Sequence, residues 1–178
     1  MGANHPSPPP GGAPDPRLTH LESDAAGGRS SRMVDVGHKP ATRREATARA
    51  RVEFGPGQLA RVLDGQGPKG PIEEVARVAG VLGAKRTDEL IPMCHGLALD
   101  AVEVRFERSG EDALEIRCTA RCSGPTGVEM EAMVGASIAA LTVYDMAKGL
   151  DKGIRLGAVE LLEKRGGKSG HWPRPQAP

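Results

Sequence analysis

The chain has 178 residues, 26% of them charged, with a formal net charge of +1, 24 glycines, 15 prolines, and only two Phe, one Tyr and one Trp. This describes one compact domain with tails, and it excludes the basic excess and ring-rich surface of a nucleic-acid binder. Three cysteines are too few for a stapled secreted scaffold, no basic and apolar leader opens the chain, and the apolar stretch at 132–144 is too short to span a bilayer. A soluble cytoplasmic protein, with no membrane and no nucleic-acid partner, is expected.

In chain order, residues 1–16 hold six prolines and no large aliphatic side chain, so they read as a disordered extension. A single α+β domain is expected over 17–165. Its first strand alternates Ala46, Ala48, Ala50, Val52 and Phe54 with Glu45, Thr47, Arg49, Arg51 and Glu53, giving one apolar and one charged face. Ile72, Val75, Ala76, Ala79 and Leu82 then recur at helical spacing behind Pro71, predicting an amphipathic helix to about Arg86. Two further alternating runs follow. Val102, Val104 and Phe106 in one, and Leu114, Ile116, Cys118, Ala120 and Cys122 in the other, predict a hairpin turned at Ser109 and Gly110.

A longer helix is predicted over about 127–150, with apolar residues on more than one face. A last strand over 154–164 breaks phase near Gly157 and Ala158, where a bulge would fit. Residues 166–178, with GGKSG and three prolines, read as a flexible loop or tail. The order strand, helix, strand, strand, helix, strand is that of a ferredoxin-like βαββαβ sandwich, an antiparallel sheet with two helices on one face. That fold hosts many activities, so function has to come from residues the fold does not require.

Cys118 and Cys122 lie on the apolar phase of their strand and no C-x-x-C spacing exists, so no metal site is expected. GGKSG is not a P-loop, because Leu162 occupies the first glycine position and Pro173 and Pro175 prevent the following helix. Its Lys168 could still close over an anion, or simply be solvated. His95, in the loop Met93-Cys94-His95-Gly96, can exchange a proton near neutral pH or serve as a structural hydrogen-bonder. On the long helix, Asp145 and Lys148 are one turn apart, as in an ordinary surface ion pair. Glu131 and Asp145 share a face but are 14 residues apart, about 21 Å along the axis. A site using both needs a long ligand or a second subunit, and the surplus apolar surface of this helix favours a homo-oligomer. Lys69, in a Gly-Pro-Lys-Gly turn, and Lys164, at the end of the last strand, are solvated if isolated. Converging with carboxylates and a histidine, they would suit a polyphosphate ester undergoing proton transfers.

The strings LTHL, MVDVGHKPATRREA, GPKG, ARVAGVLGAKRTDELIPMCH, TGVEMEAM, AALTVYDMAK and LLEKRGGKSG, in this order from Leu18 to about Gly170, resemble the cyclic pyranopterin monophosphate synthase family, molybdenum cofactor biosynthesis protein C. The resemblance implies a lyase that rearranges 3',8-cyclo-7,8-dihydroguanosine 5'-triphosphate to cyclic pyranopterin monophosphate with release of diphosphate. It implies catalytic roles for Asp145, Lys69 and Lys148. It implies substrate binding by Met93, Cys94, His95, Glu129, Met130, Glu131 and Lys164, to which the reading of the glycine loop adds Lys168. It also implies a homohexamer built from dimers with sites between subunits, and the redox-neutral rearrangement calls for no cofactor. The chain departs from the family pattern at Gly96, Ala147 and Pro71. Two rival readings make different demands. An RNA-binding module on this fold needs an aromatic, basic central strand, which neither hairpin strand supplies, and a regulatory module without catalysis would leave Asp145 and the lysines expendable.

Overall fold

A computed structural model describes residues 21–23, 29–31, 33–66, 71–168 and 170–175. The extension at 1–16, the turn 67–70 with Lys69, Ser169 and residues 176–178 lie outside the described residues. The chain divides into two units, Met1–Asp35 and Val36–Pro178. Nothing in the composition of 17–165 marks this division. In the first unit β1 (Leu21–Ser23) pairs antiparallel with β2 (Arg29–Ser31), Leu21 opposite Ser31.

The second unit runs β3 (Thr42–Glu53), α1 (Gln58–Arg61), a π-helical turn Val62–Gln66, α2 (Ile72–Lys85), α3 (Thr87–Leu90), β4 (Leu99–Arg108), β5 (Ala113–Gly124), α4 (Glu129–Ala147), β6 (Arg155–Arg165) and β7 (Trp172–Pro173). The strands form one antiparallel sheet in the order β4-β5-β3-β6-β7. Its first four strands have the ferredoxin-like arrangement that the sequence predicts. The two short helices, the π-helical turn and β7 are additions to that pattern.

Alternation sets the register. Ala46, Ala48, Ala50 and Val52 on β3 stand opposite Ala120, Cys118, Ile116 and Leu114 on β5, and all eight are buried under the helices. The other face is polar, with Arg49 bridging Glu115 (3.4 Å) and Glu160 (2.7 Å). The hairpin turns where expected: Gly110 has φ +76° and the Ser109 N–H donates to the Ala113 carbonyl at 2.8 Å. The pairing of β6 with β3 slips at two places, one spanning Gly157 and Ala158 and one at Leu162, so the predicted bulge is present and a second accompanies it.

α4 and α2 pack side by side on the same face of the sheet, and small residues make their close approach possible. A Cβ on Gly80 would stand 2.9 Å from the Gly135 carbonyl, and one on Gly135 would stand 2.5 Å from Cys118 Sγ. The premise that α4 has more apolar surface than its own subunit can cover is therefore corrected. α2 covers a side the sheet does not, and of α4's large apolar residues Leu141 alone is as much as half exposed. The uncovered apolar side chains lie mainly elsewhere: Val75, Val78 and Leu82 form one stripe on α2, and Leu156 and Val159 stand on β6. Arg77 joins α2 to the free edge of the sheet, donating to the Val104 carbonyl and lying 5.2 Å over the Phe106 ring. Among the described residues no helix is long and apolar enough to cross a membrane.

Candidate active site

Three segments meet at the N-terminal end of α4. The helix starts after Val128, with Glu129 and Glu131 in its first turn, where the exposed N–H groups favour carboxylates. Lys164 on β6 stands beside Ala46 and so on the helix side of the sheet. Its Nζ meets Glu129 Oε1 at 2.8 Å, with both side chains about a third exposed or less. Such a half-exposed pair is worth at most about 1 kcal/mol, so it orients Lys164 more than it stabilises the fold. The start of β3 supplies Thr42 and Arg44 on the same inward phase as Ala46.

These elements line a cavity of about 560 Å³, together with Lys39 and Lys168. Gly166 and Gly167 turn the chain there with φ of +95° and +68°. A Cβ on Gly166 would collide with the Arg43 carbonyl, and one on Gly167 with the Arg44 guanidinium. Arg44 donates through Nη2 to the Pro125 carbonyl at 3.2 Å, while its Nε is buried with no hydrogen-bond partner among the described residues. Thr42 Oγ1 is in the same state. Of the acidic residues in the wall, Glu129 is paired with Lys164 and Glu45 with Arg121. Lys39, Arg44 and Lys168 therefore leave a cationic surplus. Among the described residues, Thr42 Oγ1 and Arg44 Nε thus lack partners and the cavity keeps an excess of positive charge, which suits a multiply charged anion.

Two residues on from Glu129, Glu131 is only 4% exposed. Burial pushes its carboxyl above the ordinary range, a hydrogen bond with its own backbone opposes this, and Glu129 and Asp88 add to the rise. Cys94 is coupled to the same group: burial first, then Glu131 and Asp88, raise its thiol. Met93, Cys94 and His95 lie half-buried in the loop after α3, where the Cys94 N–H donates to the Ile91 carbonyl at 3.0 Å. Met130 is half-buried on the first turn of α4. Cys118 and Cys122 are buried free thiols, and burial pushes Cys118 up to about 12. Among the described residues no group of three His, Cys, Asp or Glu side chains is placed to hold a metal ion.

The other end of α4 is different. Asp145 Oδ1 and Lys148 Nζ are 2.7 Å apart and both side chains are more than half exposed. The hydrogen bond with Asp145 is the main reason the Lys148 ammonium is held above its ordinary range. Thus the structure brings Glu129, Lys164 and Lys168 together, sets Cys94 within electrostatic reach of Glu131, and leaves Asp145 and Lys148 at the opposite helix end. Lys39, Thr42 and Arg44 are site residues that the sequence reading does not single out. A signal for Arg44 was present: a charged residue on the inward phase of an otherwise apolar strand face.

The model of the MoaC family matches residues 33–167. Proteins named cyclic pyranopterin monophosphate synthase from two strains of Chloroflexus aurantiacus are each 55% identical over 160 residues, which is 89% of this chain and 96% of theirs. The protein of that name from Chloroflexus aggregans is 52% identical over 162 residues, 90% of this chain and 96% of its own. The family match takes in Lys39, Thr42, Arg44, both ends of α4 and Lys164, and so covers the cavity wall as far as Gly167. With most of its length matched in this way, the chain belongs to the MoaC family.

Proposed function

We propose that this chain is a cyclic pyranopterin monophosphate synthase acting in molybdenum cofactor biosynthesis, a lyase that converts 3',8-cyclo-7,8-dihydroguanosine 5'-triphosphate to cyclic pyranopterin monophosphate and diphosphate. The observation that carries this reading is the cavity at the start of α4, where Lys39, Arg44 and Lys168 exceed the acidic charge and Arg44 Nε and Thr42 Oγ1 are buried with no partner among the described residues. A triphosphate supplies the acceptors they lack. As the cyclic phosphate closes, an alcohol oxygen of the substrate bonds to the α-phosphorus and the bond to the diphosphate oxygen breaks. The same cations stabilise the charge that builds on the departing diphosphate. Glu129 holds Lys164 in place for this grip.

Rebuilding the purine-derived ring as a pterin requires protons to move at nitrogen and carbon. Asp145 is the acid/base, paired with Lys148, and Lys69 is the third catalytic residue. Met93, Cys94, His95, Met130 and the buried Glu131 bind the ring end of the substrate. Burial raises the Glu131 carboxyl, and in its protonated form it donates a hydrogen bond to the ring as well as accepting one. Since Asp145 lies at the far end of α4, the Asp145 serving one cavity comes from a second copy of the chain. The chain acts as a homo-oligomer, a hexamer made of three dimers, and works in the cytoplasm. The apolar side chains left uncovered on α2 and β6 support such an assembly. The test is incubation of the purified protein with the cyclised GTP derivative, followed by mass analysis. Cyclic pyranopterin monophosphate and stoichiometric diphosphate are expected, and unchanged substrate would sink the assignment.

A further inference from the structure

Glu163 and Lys164 are neighbours on β6 that point to opposite faces of the sheet, Lys164 beside Ala46 on the helix side and Glu163 beside Thr47 on the outer side. After Arg165 the chain reverses. The Gly166 N–H donates to the Gly170 carbonyl at 3.1 Å and the Gly170 N–H to the Gly167 carbonyl at 3.2 Å. The returning β7 pairs through only two residues, one of them a proline, and one further backbone bond runs from the Arg174 N–H to the Leu162 carbonyl at 2.7 Å, so its ladder is short. Side chains fasten it further. His171 Nε2 lies 3.1 Å from Glu163 Oε2, and Arg174 Nη2 lies 2.5 Å from Glu160 Oε1. Arg165 shares the Glu163 oxygen at 3.1 Å. The hydrogen bond from His171, ahead of those from Arg165, holds the Glu163 carboxyl below the ordinary carboxylate range. Between this fastening and the end of β6, the turn places Lys168 in the cavity wall and Gly167 against the Arg44 guanidinium.

We propose that His171 is a positioning residue: its hydrogen bond with Glu163 on the outer face fixes the returning strand, and so holds Lys168 and Arg44 in place at the cationic cavity. The inference rests on the reading of that cavity as a triphosphate site. A strap fastened before the ligand arrives spares the binding step the cost of ordering it.

Trp172 is the one tryptophan of the chain and lies in β7, so its fluorescence reports the strap without any ligand. In the full-length protein, His171→Ala should shift Trp172 emission to the red and increase its quenching by acrylamide. The same variant should weaken the binding of inorganic triphosphate, measured by calorimetry, by about fivefold. His171→Gln, whose amide nitrogen can still donate to Glu163, should retain most of both properties. In a Lys168→Ala background, adding His171→Ala should change the affinity by less than about twofold, because the lysine it positions is already gone. Unchanged Trp172 quenching in His171→Ala overturns the fastening, whether or not triphosphate binds. A loosened strap with unchanged triphosphate affinity overturns its link to the cavity. If the wild-type protein itself fails to bind triphosphate while Trp172 responds as expected, the triphosphate reading of the cavity falls and takes this role with it.

Discussion

The two ends of α4 use similar residues to opposite effect. At the first turn, Glu129 and Glu131 are shielded from solvent, one holding Lys164 and the other buried enough to raise its carboxyl above the ordinary range. Four turns on, Asp145 and Lys148 form an ion pair of shorter distance in open solvent, an arrangement that contributes little to stability. Ion-pair distance therefore does not rank the two ends. What separates them is whether the surrounding groups leave unmet hydrogen-bonding demand, and among the described residues only the first end does.

The largest test of this contrast is Asp145→Asn, which keeps the side chain's size and removes its basicity. Turnover should fall by about a hundredfold or more while inorganic triphosphate still binds normally. Full turnover would remove Asp145 from the chemistry. Next, mixing Asp145→Asn with Arg44→Ala and letting subunits exchange should restore about a quarter of the intact sites, since each mixed dimer carries one unaltered pair. No recovery despite proven exchange would place both residues on one chain and dissolve the contrast. Arg44→Ala alone should raise KM by about tenfold and leave kcat less affected, because the grip on phosphate is made in the ground state as well. An unchanged KM would leave the orphaned Nε without a ligand.

The smallest effect concerns Glu131, whose carboxyl is raised on folding. In the window from the ordinary value of 4.5 up to its folded value, the native state holds more protons than the unfolded chain. The stability present at lower pH is lost as pH rises through that window. Glu131→Gln should flatten this slope in a series of melting temperatures across mildly acidic pH. An identical slope in the variant would show that Glu131 does not titrate there.

The elements that build the sheet and the long helices were legible because each carries an alternation or a helical period of its own, as in Ala46 to Val52 and Ile72 to Leu82. α1, α3 and β7 are too short to carry a period, and β7 exists only because Gly166 and Gly167 return the chain to β6. The candidate site was legible in part. Glu129, Glu131, Asp145 and Lys148 stand out as charges on an apolar helix, and Lys164 as the end of a strand. Arg44 and Thr42 fall at the start of a strand, where a polar residue attracts no notice until the partner strand and α4 bury it. Lys39 lies in a loop, and its part in the cavity depends on where β6 ends.

The close crossing of α4 over the sheet also gives the protein an internal clock. Cys118 Sγ is lodged against Gly135 and its thiol is pushed up to about 12, whereas Cys94 is half-buried in a loop. Only a thiolate alkylates at a useful rate, so Cys118 is silent at neutral pH until α4 lifts away and its ordinary acidity returns. Cys94 labelling then follows local loop opening, and Cys118 labelling counts the rarer excursions that separate helix from sheet. One reagent, read at two positions, thus resolves two depths of motion in the same molecule.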